Sequence, residues 1–164
     1  MLNKNIIIRN LDNNKKLPYD LLLLADPSRE LVDEYLKQSY VFVADVNNKT
    51  VGVCVLYHIN RNKAEIKNIA VDPQYQKQGI GNTLMKEVIK QAADKGYKEL
   101  IIGTGNNGFS QLYMYQRLGF EMTEIIRNFF IDNYKEPIFE NGLQCKHMII
   151  LTKDLTENVR KKLF

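Results

Sequence analysis

Gln76, Gly79 and Gly81 form a short glycine-containing stretch between an apolar segment and a helix-like segment. The apolar segment, residues 64–71, predicts a strand, and the residues after Gly81 predict an amphipathic helix. A strand that passes through such a loop into a helix leaves backbone N–H groups at the positive end of the helix dipole. The pattern therefore predicts an anion site, with phosphate as the favoured anion.

The glycine spacing excludes two common phosphate-binding motifs at this loop. A P-loop requires a Lys-[Ser/Thr] pair, which does not follow Gly81, and a dinucleotide fingerprint requires a third glycine where the chain has Leu84. The pattern that fits is Gln-x-x-Gly-x-Gly after an Ala-Val-Asp-Pro strand end. It resembles motif A of the GNAT superfamily, the acyl-CoA-dependent N-acyltransferases. The resemblance implies that the loop amides hold the pyrophosphate of coenzyme A, and a turn without a ligand is the alternative.

A second segment, residues 112–120, ends in Tyr-x-Arg-x-Gly-Phe, which begins at Tyr115. It resembles the second GNAT signature, where a helix lies under the adenosine-pantetheine end of the cofactor and its tyrosine faces the thioester sulfur. The asparagine that usually lies some seven residues before this tyrosine is replaced by Gly108, and Asn106 and Asn107 are the nearest candidates for its contact. A packing role for Tyr115 is the alternative. Two signatures in the expected order favour membership of the family.

Residues 103–108 form a competing motif. They match G-x-G-x-x-G, and Glu124 lies about 20 residues further on, where a ribose-binding acid is expected. A NAD-dependent oxidoreductase is therefore an alternative function. The remaining chain is too short for the further parallel strands and helices of a dinucleotide domain. We expect these glycines to let the backbone turn sharply beside the ligand of the first loop.

The elements that position these segments follow from apolar periodicity and turn residues. Strands are predicted over 5–10, 40–46, 50–59, 64–71, 98–102, 121–131 and 145–151. Two helices are predicted within 19–38, one from the glycine loop to Gly96, and one before Gly119. The strand over 98–102 follows a helical crossover and should run parallel to the strand over 64–71.

These elements predict one domain over residues 1–164 with an α/β (α+β) fold. The predicted architecture is a GNAT-like mixed central sheet of about seven strands with about four flanking helices. The first half of the sheet is antiparallel, and its fourth and fifth strands form a parallel pair. A long loop over 132–142 is expected to be functional or mobile.

The amino-acid composition excludes several classes of binding partner. Apolar residues make up 45% of the chain and charged residues 26%, which is typical of a globular protein. The net charge of +4 is spread along the sequence, so nucleic acid is not an expected partner. No apolar run approaches a membrane span, and two cysteines are too few for a zinc site or a disulfide framework. We expect a cytoplasmic protein without metal or membrane contacts; the polar tail over 154–164 makes a homodimer a further expectation.

The resemblance also implies which residues bind acetyl-CoA. The backbone of the strand end would pair with the pantetheine arm, the loop would hold the pyrophosphate, and two residues of the second signature region would add contacts. The expected cofactor-binding residues are Ile69, Ala70, Val71, Gln76, Lys77, Gln78, Gly79, Ile80, Gly81, Asn82, Thr83, Asn106 and Tyr113.

Two catalytic roles are implied. Tyr115 would protonate the departing thiolate. Glu65 lies six residues before Val71, so a regular strand would place both side chains on one face. In some family members a glutamate at this spacing deprotonates the amine. The alternative for Glu65 is a solvent-facing residue beside Lys67.

The sequence thus predicts an N-acetyltransferase that transfers an acetyl group from acetyl-CoA to a primary amine by direct attack in a ternary complex. A non-catalytic acyl-CoA-binding regulatory module is the alternative from another class, although binding alone needs neither Tyr115 nor Glu65. The acceptor, a small molecule or a peptide amine, stays open. The aromatic and acidic residues around 132–142 would suit an amine with an apolar portion, or they pack on one another with their carboxylates in water.

Overall fold

The computed structural model describes residues 5–12 and 15–156 and divides into two compact units, Met1–Tyr97 and Lys98–Phe164. The first unit contains four antiparallel strands in the order β1-β2-β3-β4. They are β1 (Ile6–Asn10), β2 (Ser39–Val46), β3 (Lys49–Asn60) and β4 (Lys63–Val71). Its helices are α1 (Tyr19–Ala25), α2 (Arg29–Leu36) and α3 (Ile80–Asp94), with a 3₁₀ turn over Pro73–Tyr75. The predicted elements of this half are confirmed, with ends shifted by a few residues.

The sheet of the first unit is covered on both faces. Alternate residues of β2 and β3 form a buried cluster with apolar residues of α1 and α2, which are Leu21, Leu22, Val32, Tyr35, Val41, Val43, Val53 and Val55. The residues between them point to the opposite face because side chains alternate along a strand. There a Cβ at Gly52 would lie 3.5 Å from the side chain of Leu84 in α3. The two faces of β3 therefore contact different helices.

Turn and cap residues fix the ends of these elements. Asn47 and Asn48 both have positive φ, 50° and 62°, which suits the tight turn between β2 and β3. Ser28 caps α2 by accepting a hydrogen bond from the backbone N–H of Leu31 at 3.3 Å. Gly96 follows α3 with a φ of 88°, as expected for a glycine that ends a helix.

The second unit contains an antiparallel sheet in the order β5-β9-β6 and a separate β7-β8 hairpin. Its elements are β5 (Glu99–Gly105), α4 (Phe109–Arg117), β6 (Glu121–Ile126), α5 (Phe129–Asn133), β7 (Ile138–Glu140), β8 (Leu143–Cys145) and β9 (Met148–Asp154). The four strands β1 to β4 and the three strands β5, β9 and β6 match the predicted number of about seven. The hairpin and α5 are additional elements.

The single strand predicted over 121–131 is wrong. β6 ends at Ile126, and Asn128 adopts a left-handed conformation with a φ of 58° directly before α5. Asparagine tolerates this conformation better than most residues, so the chain can turn there. The backbone N–H of Asn128 donates to Nδ1 of His147 at 2.9 Å, which holds the turn.

Two neighbouring predictions are also corrected. The segment over 132–142 is not a structureless loop, because it contains the end of α5 and all of β7. The strand predicted over 145–151 is divided between β8 and β9, and β9 continues to Asp154. Most of the predicted tail, residues 157–164, lies outside the described residues.

Candidate active site

The glycine loop of the first unit closes on itself through side-chain hydrogen bonds. The Gln76 side-chain amide donates to the carbonyl of Val71 at 3.0 Å, and the Gln78 amide donates to the carbonyl of Gln74 at 3.3 Å. Asp72 accepts from the backbone N–H of Gln74 at 2.9 Å. These bonds hold the backbone between β4 and α3 in a compact turn.

The start of α3 presents the features of an anion site. Gly79 has a φ of 81°, and a Cβ there would find nothing within 4 Å, so the space beside it is open. The first backbone bond of the helix is from Thr83 N–H to the Gly79 carbonyl at 3.0 Å, so the N–H groups of Ile80, Gly81 and Asn82 precede it. The first turn carries no acidic residue. The 15-residue helix therefore directs its positive end at an open, exposed loop.

A β-bulge in β4 changes which side chains share a face. Asn68 pairs with Val55 of β3 and Ile66 pairs with Leu56, which leaves Lys67 without a partner in the register. Opposed residues of antiparallel strands lie on the same face. Asn68 and Ile66 therefore lie on opposite faces although they are two positions apart.

The predicted shared face of Glu65 and Val71 is wrong for this reason. Glu65 pairs with Tyr57, whereas Val71 pairs with Gly52. Tyr57 and Gly52 are five positions apart in β3, so their side chains point to opposite faces. Glu65 lies on the face that α1 and α2 cover, and Val71 lies on the face of α3.

Glu65 lies in a partly enclosed environment. Its side chain is 14% exposed, and Lys67 Nζ lies 3.3 Å from its Oε2. Burial raises the pKa of the Glu65 carboxyl, and the charge and hydrogen bond of Lys67 lower it, with burial dominating. A carboxyl with a raised pKa is a better proton acceptor than an ordinary glutamate, as a general base requires.

Sequence reasoning missed a buried polar network next to Glu65. Asn68, 3% exposed, donates its side-chain amide to the Leu22 carbonyl and to the Tyr35 hydroxyl, both at 2.9 Å. Its side-chain oxygen is buried and has no hydrogen-bond partner among the described residues. Burial and the Asp26 carboxylate raise the pKa of Tyr35 to about 12, against the lowering effect of the Asn68 hydrogen bond. The sequence feature that could have indicated this network is an asparagine inside an apolar strand.

In the second unit, Tyr115 is a buried residue of α4. Its side chain is 3% exposed, and its ring centroid lies 6.3 Å from that of Phe120. Tyr113, an expected cofactor contact, is 68% exposed on the same helix, one turn after the exposed Phe109. One side of α4 therefore carries the buried Tyr115, and the exposed aromatic side chains of Phe109 and Tyr113 lie on another side.

The side chain of Asn106 forms hydrogen bonds with backbone groups of the second unit. Its oxygen accepts from the N–H groups of Lys146 at 2.8 Å and His147 at 2.9 Å, and its amide donates to the Gln144 carbonyl at 3.3 Å. Asn107 similarly donates to the Leu143 carbonyl at 2.8 Å. These bonds tie the turn after β5 to the hairpin and to β9, and the expected cofactor contact of Asn106 stays a prediction.

The glycines of the competing motif are needed for close packing. A Cβ at Gly105 would clash with Sγ of Cys145, and one at Gly108 would lie 2.6 Å from Oγ1 of Thr104. Gly103 would meet Sδ of Met148 at 2.7 Å. Their φ angles are not positive, so tight contact with nearby side chains explains them better than a sharp turn. An asparagine at position 108 would therefore require the Thr104 side chain to move.

Similarity to a known protein family identifies the family of this chain. The model of the acetyltransferase (GNAT) family matches residues 12–120, more than half of the chain. The chain belongs to the GNAT acetyltransferase family. It is 44% identical over 137 residues to YvbK of Bacillus subtilis, described as an uncharacterised N-acetyltransferase; the match covers 84% of this chain and 88% of that protein.

Solved structures are similar to this GNAT chain over most of its length. A GNAT acetyltransferase from Elizabethkingia anophelis with acetyl-CoA bound is 52% identical, with a TM-score of 0.89 over 92% of this chain and 98% of that chain. A Bacillus subtilis acetyltransferase in complex with CoA is 41% identical, with a TM-score of 0.86 over 91% of this chain and 98% of that chain. An IAA acetyltransferase from Bacillus cereus is 36% identical, with a TM-score of 0.88 over 91% and 99%. These similarities confirm the predicted family and its α/β fold.

The described residues lack a cluster of metal-binding side chains and a helix that could span a membrane. Residues 5–12 and 15–156 hold no group of three or more His, Cys, Asp or Glu side chains that could bind a metal ion. In the same part of the chain, every helix is too short or too polar to cross a bilayer. Cys54 and Cys145 are both buried free thiols.

Proposed function

We propose that this protein is an acetyl-CoA-dependent N-acetyltransferase that transfers an acetyl group to a primary amine. The observation that carries the proposal is the 52% identity and TM-score of 0.89 to a GNAT acetyltransferase with acetyl-CoA bound. The match covers 92% of this chain. The family model matches residues 12–120, which include the glycine loop and the helix of Tyr115. The NAD-dependent alternative loses its support because close packing accounts for the glycines over 103–108.

The loop of the first unit fits a pyrophosphate. A helix N-terminus with free space at Gly79 and without acidic residues in its first turn favours an anion such as pyrophosphate. We assign the pyrophosphate to the backbone of residues 78–83 and the pantetheine arm to the backbone of residues 69–71. The side chains of Gln76 and Thr83 hold the loop, since they donate to the carbonyls of Val71 and Gly79. Lys77 adds a positive charge, and Tyr113 offers an exposed ring for the adenosine end.

The proton transfers are assigned to Glu65 and Tyr115. Glu65 takes a proton from the acceptor ammonium, which frees the nitrogen lone pair to form the new bond to the acetyl carbonyl carbon. Tyr115 gives its hydroxyl proton to the sulfur as the carbon–sulfur bond breaks. As the amide forms, the nitrogen loses a second proton, which replaces the one that Tyr115 gave to the sulfur. Glu65 then releases its proton to solvent, so that one proton is released per turnover. The raised pKa of Glu65 supports the first role, and the place of Tyr115 at the start of the Tyr-x-Arg-x-Gly-Phe signature supports the second.

The acceptor class, the domain organisation, the cellular location and the oligomeric state are proposed from less specific observations. GNAT enzymes act on small-molecule or peptide amines, and we propose an acceptor of that class. The family match includes residues of both compact units, which supports one catalytic domain. Two buried thiols support a reducing, cytoplasmic location. The exposed edge strand β6, with Met122 and Ile125 more than half exposed, supports a homodimer.

Calorimetric titration with acetyl-CoA tests the cofactor site. Gly81→Glu should abolish binding, because it places a carboxylate at the helix N-terminus. Gly81→Ala is the matched control: its Cβ would lie 3.7 Å from Cγ2 of Val71, an ordinary contact, so it should fold and bind. Unchanged affinity in Gly81→Glu would overturn the loop assignment. Tight binding of NAD by the unaltered protein would restore the oxidoreductase alternative.

A further inference from the structure

The bulge in β4 gathers three polar side chains on the face that α1 and α2 cover. Glu65 pairs with Tyr57 and Asn68 pairs with Val55, so both lie on that face. Lys67 is the extra residue, and its ammonium reaches the same face. A regular strand would have placed Asn68 on the opposite face from Glu65 and Lys67.

Lys67 lies between a carboxylate and an aromatic ring. Its Nζ is 3.3 Å from Oε2 of Glu65 and 5.7 Å from the ring centroid of Tyr57. The Lys67 side chain is 34% exposed and the Glu65 side chain 14% exposed, so the ion pair is partly shielded from water. Two contacts from different strands therefore fix the ammonium next to the carboxylate.

Lys67 is the charged neighbour that offsets the burial of Glu65. Burial favours the neutral acid and raises the pKa of Glu65, whereas the ammonium favours the carboxylate and lowers that pKa. Tyr57 faces Glu65 from β3, and α1, which packs on β4, carries Tyr19 and Asp20 as its ionisable side chains. None of these three is among the groups that shift the Glu65 pKa.

We propose that Lys67 is a positioning residue that keeps the Glu65 carboxylate ionised and oriented for proton transfer from the acceptor amine. The proposal rests on the assignment of Glu65 as the base under the proposed function. A base must be ionised before it can accept a proton, and a buried carboxyl without a cation would be neutral over more of the working range. Lys67 thereby extends activity towards lower pH.

The first test follows the Glu65 carboxyl directly and needs no acceptor. Carbon-13 NMR of protein labelled with [13C]glutamate should show Glu65 titrating at higher pH in Lys67→Met than in the unaltered protein, because the variant keeps the length of the side chain and loses its charge. Lys67→Arg should restore the original titration. An unchanged titration in Lys67→Met would overturn the role of Lys67 and leave the function of Glu65 untouched.

The second test is the pH profile of kcat/KM, measured with the primary amine that releases coenzyme A fastest in a screen. In Lys67→Met the acidic limb should move to higher pH, with kcat/KM lower by roughly 3- to 10-fold near pH 6 and equal to the unaltered protein near pH 9. A uniform loss at every pH would show a merely structural role and overturn the proposal. A Glu65→Gln profile that matches the unaltered protein would instead overturn the base assignment and, with it, this proposal.

Discussion

Asn106 and His147 are joined by two reciprocal hydrogen bonds. The backbone N–H of Asn106 donates to the carbonyl of His147 at 2.9 Å, and the backbone N–H of His147 donates to the side-chain oxygen of Asn106 at 2.9 Å. Nδ1 of His147 in turn accepts the backbone N–H of Asn128, the residue before α5. The turn after β5 therefore helps to position both the start of β9 and the start of α5.

Asn106→Ala should destabilise the protein, because it removes three side-chain hydrogen bonds to backbone groups, two of them partly buried. We expect the free energy of unfolding to fall by about 1 to 3 kcal/mol. Urea unfolding measures the change. Asn106→Asp is the control, since it keeps the acceptor oxygen for Lys146 and His147. Unchanged stability in Asn106→Ala, together with weaker acetyl-CoA binding, would favour the predicted cofactor contact over this structural role.

The sequence predicts the structure best where the local residue types alone determine the backbone conformation. Positive φ at Asn47 and Gly96 follows from residue type, and the order of elements before α3 follows from apolar periodicity. The face of Glu65 could not be predicted in this way, since one unpaired residue in β4 reverses the alternation and no residue type marks a bulge. The hydrogen bonds of the Asn106 side chain could not be predicted either, because its partners at 144–147 lie far away in sequence.

Tyr35→Phe should make the protein more resistant to alkaline unfolding. The hydroxyl has a pKa of about 12 in the fold, against about 10 in an unfolded chain. A raised pKa means that the neutral phenol stabilises the fold below about pH 10, and this stability is lost as pH rises towards about 12. The unaltered protein should thus lose on the order of 2 kcal/mol more than the variant over that range.

Urea unfolding of both proteins at pH 8, 10 and 11 measures this difference. Every other ionisable side chain is common to both proteins, so its contribution cancels in the comparison. At pH 8 the variant should be the less stable protein, because it has lost the hydrogen bond from Asn68. Parallel stability curves from pH 8 to pH 11 would contradict the burial of Tyr35.

Tyr115→Phe should lower kcat by roughly 10- to 1,000-fold at neutral pH, with little change in acetyl-CoA affinity. The substitution keeps the ring that packs near Phe120 and removes only the proton donor. Single-turnover kinetics and calorimetric titration separate the two effects. Tyr113→Phe, on the exposed side of α4, is the matched control and should keep its kcat. If turnover survives in Tyr115→Phe, the tyrosine is a packing residue and the sulfur takes its proton from water.

Glu65→Gln should gain stability relative to the unaltered protein as pH rises from about 4 to 7, while it loses activity at neutral pH. The raised pKa of Glu65 means that its contribution to stability is present below the unfolded value of about 4.3 and is lost as pH rises through the folded value. Glutamine stays neutral, so the stability of the variant relative to the unaltered protein should increase between about pH 4 and pH 7. Urea unfolding at both pH values measures this difference without any acceptor.

The activity of Glu65→Gln distinguishes a base from a simple binding group. An alkyl amine titrates near ~10.4, so at neutral pH nearly all of it is protonated and a base is needed. The variant should lose about 100-fold or more in kcat at pH 7 and recover most of it towards roughly pH 9 to 10, as solvent deprotonates the amine. If Glu65 only attracts the ammonium, KM should rise while the shape of the kcat profile stays the same. Because the stability difference depends only on burial and Lys67, its presence together with parallel activity profiles would identify Glu65 as a buried structural carboxyl outside the reaction.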